Sequence, residues 1–202
     1  MDETPSEVIQ RSIDVMLDPT LGNHTETELF LKKSTGELGF LSALEEFLQT
    51  CQQRSLHAWY TLFLMRKTSK NKGNLLTLEE LHSHLGFLNG SLFHMSSTIV
   101  SDQRILTEFA RTHAVLLRLA LEHLSESFVC LSEVLALLHG SHEIVIIVLE
   151  TLLNTCRYVF RTPHHMTPAE RHSFINFFLT ETRFTILREI FGLLHSFSDD
   201  EL

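Results

Sequence analysis

Helix starts constrain this chain more than any other feature. In a capping box, a Ser or Thr hydroxyl accepts the backbone N–H three residues on. A Glu at that third position accepts the N–H of the cap in return. The pattern occurs at Thr4-Pro5-Ser6-Glu7, Thr25-Glu26-Thr27-Glu28, Thr77-Leu78-Glu79-Glu80 and Thr167-Pro168-Ala169-Glu170. Each precedes an apolar run of helical period. Two of them carry Pro at the first helical position, where its missing N–H costs nothing. With only 8 Gly and 4 Pro in 202 residues, the chain lacks the turns an all-β fold of this length needs. The sequence predicts one all-α domain over residues 1–202, ending in an acidic tail at 198–202.

Periodicity and caps predict helices over 5–17, 26–33, 37–52, 56–66, 78–88, 91–100, 102–124, 127–138, 141–160, 169–178 and 182–197. Asn89-Gly90 is read as a helix stop, and residues 67–74 as a Lys-rich loop and candidate hinge. Ile144-Val145-Ile146-Ile147-Val148 has strand propensity. Ser141 is a good cap ahead of it, however, and Leu149, Leu152, Leu153 and Cys156 extend the apolar pattern. The segment is therefore read as a buried helix with Leu149 and Leu152 in the core.

The net charge of −9 weighs against direct nucleic-acid binding, which replaces counterions with Lys and Arg. The one basic cluster, Arg66, Lys67, Lys70 and Lys72, sits beside Ser69, Asn71 and Gly73. It reads as a solvated loop, with a phosphate or acidic-partner contact as the alternative. Cys51, Cys130 and Cys156 are widely spaced and lie in apolar runs, as free thiols of a reducing compartment do. The acidic start at residues 1–5 has no apolar core of the kind a signal peptide carries. The apolar stretch 144–160 is interrupted by Glu150, Asn154 and Arg157, so no membrane span is expected. These features together predict an intracellular protein, cytoplasmic or nuclear.

Residues 131–160 read as a helix, then Leu137-Leu138-His139-Gly140, the Ser141 cap and an apolar helix. This stretch resembles the junction between two repeats of an armadillo or HEAT-type array. Glu143, Val145, Leu149, Leu152 and Asn154 fall on the pattern of the repeat's core helix, with Cys156 at a small-residue position. The likeness extends loosely over 102–197, and no regular period of about 40 residues runs through the chain. It implies an irregular helical α-solenoid that works by protein–protein contact and has no catalytic residues; a compact helical bundle is the alternative.

A search for chemistry returns little. There is no P-loop, no Gly-x-Ser-x-Gly and no Cys-x-x-Cys. His142-Glu143 begins like a zincin motif but Ile146 stands where the second His belongs. Of 13 histidines, His82 and His84 should point to different faces of a helix. His164, His165 and His172 could approach one another, which leaves a small metal-dependent regulator or enzyme as the alternative function. The main expectation is a non-enzymatic scaffold or complex subunit, without cofactor, that binds another protein or a continuing chain. Its candidate contact lies in the last two helices, at Phe177, Phe178, Phe184, Arg188 and Phe191.

Overall fold

The computed structural model describes residues 4–37, 39–51, 54–161 and 165–199, the last four without side chains. Every regular element among the described residues is helical. The α-helices are α1 (Pro5–Leu17), α2 (His24–Ser34), α3 (Gly39–Thr50), α4 (Ser55–Lys72), α5 (Leu78–Ser101), α6 (Gln103–Leu121), α7 (Phe128–Ala136), α8 (His142–Val159), α9 (Pro168–Phe177) and α10 (Arg183–Asp199).

Three of the four expected capping boxes form. The Thr4, Thr77 and Thr167 hydroxyls accept the N–H of Glu7, Glu80 and Glu170 at 3.3, 3.2 and 3.3 Å. Each Glu accepts the cap's own N–H at 2.7–2.8 Å, and that bond holds the carboxyl below its usual range. The fourth box does not form. Asn23, as strong a cap as Thr, starts α2 earlier and accepts the N–H of Glu26 at 3.2 Å.

The Lys-rich loop is also corrected. α4 continues through it to Lys72, and Gly73–Leu75 is a 3-10 turn. Thr68 and Ser69 are buried, and their hydroxyls donate to the carbonyls of Leu64 and Met65 at 2.9 and 2.8 Å. Polar composition was mistaken for exposure, whereas back-bonding hydroxyls fit inside a helix. A side chain at Gly73 would overlap Leu119 of α6, so glycine allows the close approach there.

Asn89-Gly90 does not stop a helix either. α5 runs through it for 24 residues, with Asn89 buried. Tertiary packing overrides the cost of a helical glycine, about 1 kcal/mol. Open space surrounds Gly90. Gly90→Ala should therefore raise stability by roughly 0.5–1 kcal/mol. A lower melting temperature for that variant would contradict the continuous helix.

The helix expected over 102–124 ends at Leu121, and Leu124 takes φ 56°, in the left-handed region. Ile144 to Val148 are helical in α8, capped by Ser141. Leu152 is buried as expected, but Leu149 is 36% exposed. The apolar stripe of α8 is wider than the surface its neighbours cover.

α6 is the centre of the molecule. Phe109, Leu116, Leu117 and Ala120 are wholly buried, and the helix packs against α4, α5 and α8. α4, α6 and α8 lie side by side, and α3, α5 and α7 form a second row in which α5 contacts both of the others. Histidines tie this second row together. His84 Nδ1 on α5 meets Glu45 Oε1 of α3, and His82 Nε2 meets Glu133 Oε1 of α7, each at 2.8 Å. Residues two apart on a helix face different neighbours, as the spacing predicts. His57 Nε2 on α4 meets Asp14 Oδ1 of α1 at 2.7 Å. No helix of the described residues is long and apolar enough to cross a membrane.

Candidate functional site

The two C-terminal helices expected from the sequence are one helical course. α9 passes through a π turn, Phe178–Thr182, directly into α10. Phe174, Phe178, Thr182 and Ile186 form its buried row. Steps of four overshoot a 3.6-residue turn, so in a plain α-helix that row would drift by about 120°. The wider π turn absorbs the drift and keeps the row on the core.

That phasing divides the predicted contact residues. Phe178 is only 2% exposed and packs edge-on to Phe160 with ring centroids 6.1 Å apart. Phe177 is half-buried against Phe128, at 5.5 Å. Both belong to the packed side. Phe184 and Phe191 stay in solvent, 58% and 60% exposed. Leu187 and Leu194 lie exposed beside them and complete the row. Those two leucines were not among the residues expected there; the signal that finds them is the 3-4-3 spacing of Phe184, Leu187, Phe191 and Leu194, the seam spacing of paired helices. Arg183 lies over the Phe184 ring at 4.9 Å. Arg188 is exposed, and its Nε donates to the adjacent Glu189 at 3.3 Å.

The course packs on the body lightly. α10 touches the turn Leu137–His139, just ahead of α8, and Phe178 touches Phe160 just beyond the other end of α8. α10 therefore runs back antiparallel to α8. α8 adds exposed Leu149 and Leu153, and Phe160 just beyond it is exposed as well.

Of the three clustered histidines, two lie among the described residues. His165 Nε2 lies 2.8 Å from Glu122 Oε2, and Glu122 also pairs with Arg118. His172 is exposed on α9, and His164 lies outside the described residues. Among the described residues no group of three His, Cys, Asp or Glu is placed to hold a metal ion. The cysteines are unpaired, and burial pushes the Cys51 and Cys130 thiols up to about 11. At neutral pH they are protonated and poor nucleophiles.

No family model matches the chain, and neither does any curated protein or solved structure.

Proposed function

We propose that this protein is a non-enzymatic helical scaffold or complex subunit that docks a helix of another protein along α10. The observation that carries the reading is the exposed seam of Phe184, Leu187, Phe191 and Leu194. Four large apolar side chains at paired-helix spacing on a lightly packed helix form the unpaired half of a two-helix contact. The two rows α4, α6, α8 and α3, α5, α7 support the armadillo or HEAT-like array expected for an interaction module. Three free cysteines fit a reducing compartment.

Charge selects the occupant. An antiparallel pair of identical copies that matches Phe184 with Leu194 and Leu187 with Phe191 brings the two Arg188 side chains together. A parallel pair sets Arg183 of one copy against Arg188 of the other. Both self-pairings therefore place like charges along the seam, which costs stability. A helix with an apolar seam and acidic flanks meets Arg183 and Arg188 favourably, so the partner is an acidic amphipathic helix from a different protein.

The test is capture from cells with the wild-type chain and with Phe184→Ser/Phe191→Ser, followed by titration of the captured protein's helix as a synthetic peptide. Two aromatic anchors carry much of such a contact, so affinity should fall by about a hundredfold or more. Helical signal and melting temperature should stay nearly unchanged, because both rings are exposed. Arg188→Glu should weaken the same peptide. Equal binding by the wild type and the double Ser variant would sink the reading. Self-association that the double Ser variant abolishes would make the occupant a second copy.

A further inference from the structure

The chain carries 25 Asp and Glu against 16 Lys and Arg, yet three cations gather where α4, α6 and α8 end, and two more on α4 and α6 act on them from outside the cleft. They are Arg66 and Lys70 from α4, Arg111 and Arg118 from α6, and Arg161 just beyond α8. Between these helices lies a cleft of about 490 Å³. Val115, Leu119 and the Tyr158 ring make its apolar wall, and Lys70, Arg118 and Arg161 its charged one. Asn71, Asn74 and His165 reach the same space.

Tyr158 gathers two of the charges. Lys70 Nζ stands 5.3 Å from its ring centroid and Arg161 Cζ stands 5.0 Å from it. The ring quadrupole attracts each cation but cannot neutralise two. Among the described residues two carboxylates make ion pairs with this cluster, and a third, Glu170, acts on His165. Glu108 accepts from Arg66, and Glu122 is shared by Arg118 and His165. Lys70, Arg111 and Arg161 have no carboxylate in ion-pair contact among the described residues. The crowding registers on Lys70, whose ammonium is held below its ordinary value by partial burial, then by Arg66 and Arg161, with Arg111 adding to them. Glu108 alone pulls the other way.

Helix ends account for part of this pattern. Each C-terminus presents roughly half a negative charge, which favours cations in the last turn. Three ends and two carboxylates balance about three and a half of the five positive charges. A positive surplus remains, in a recessed cleft with an apolar wall. Arg118, with 15% of its side chain exposed, lies at the back of it.

We propose that this cleft binds a small organic phosphate. Lys70 and Arg161 close on its phosphate group, Arg118 faces it from the back wall, and Val115, Leu119 and the edge of Tyr158 receive the organic part. A diphosphate suits the cleft better than a single phosphate, because charged donors come from three separate segments of the chain and span more than one anionic group. The site is separate from the α10 seam, and neither depends on the other.

The test is calorimetric titration of the full chain with inorganic pyrophosphate at low ionic strength. One saturable site is expected, with inorganic phosphate binding more weakly. Lys70→Gln/Arg161→Gln should weaken pyrophosphate about tenfold or more. Arg183→Gln/Arg188→Gln, with the same change in net charge at residues that do not line the cleft, should bind as the wild type does. Asn74→Asp, at an exposed position on the rim, should weaken binding without threatening the fold. The absence of saturable binding at millimolar pyrophosphate would overturn the proposal. So would equal losses in the cleft and α10 variants, which would reduce the effect to net charge.

Discussion

Acidification from pH 7 to about pH 4.5 is expected to cost the fold about 2–3 kcal/mol through His113 alone. His113 stands in the middle of α6, wholly buried, edge-on to the Phe109 ring at 5.9 Å. Neither of its ring nitrogens has a hydrogen-bond partner among the described residues. Burial disfavours the imidazolium and pulls the group down to about 4. In the unfolded chain it titrates near 6.5. Between those values the unfolded state binds more protons, so stability is complete above about pH 6.5 and is lost as pH falls toward about 4. His113→Leu removes the titration and both unpaired nitrogens at similar volume. It should leave stability at pH 7 unchanged or raise it by roughly 1–3 kcal/mol, since a buried unsatisfied group carries a penalty of that order. The capping carboxylates Glu7, Glu80 and Glu170 also weaken in acid, so the measurement is the difference between the two proteins. Urea unfolding at both pH values gives it, and parallel losses in wild type and His113→Leu would exclude this role.

The fold was legible wherever the determining interaction is local. A cap and its Glu lie within one turn, so Thr4, Thr77 and Thr167 announced their helices correctly. Reading failed where packing decided. Lys-rich and Asn-Gly segments look like loops, but Thr68, Ser69 and Asn89 are buried by helices distant in sequence. The histidine surplus was visible and its use was not. Asp14, Glu45, Glu122 and Glu133 lie far along the chain from the histidines they meet, so no spacing rule pairs them.

The exposed row of α10 was half legible. Phe184, Arg188 and Phe191 were expected at the surface and are there, whereas Phe177 and Phe178 turn inward. The π turn between them sets that phase. It follows from what the core accepts at Phe178 and Thr182, and no local pattern encodes it. The basic cleft was the least legible feature. Lys70 belonged to a visible cluster, but Arg118 and Arg161 join it only because α4, α6 and α8 end at one edge.

Leu152→Ala and Leu149→Ala should part company, although the two residues are alike in sequence. Leu152 is 2% exposed, on the side of α8 that packs into the core. Truncating it removes its transfer energy and leaves a cavity, an expected loss of roughly 2–5 kcal/mol. Against a total stability of about 5–15 kcal/mol, such a loss brings the domain near unfolding at growth temperature. Leu149 lies on the open side, in line with Leu153 and Phe160, and its truncation should cost under about 1 kcal/mol. Chemical unfolding of dilute wild type and both variants measures the contrast. The reasoning rests on α8 being the last member of its row, covered by α6 on one side and free on the other. If Leu149→Ala proved as costly as Leu152→Ala, the open side would be covered in solution. The penalty would then grow with protein concentration, because the covering surface would belong to another copy of the chain. A penalty for Leu149→Ala that is small at every concentration leaves that face of α8 free beside the α10 seam.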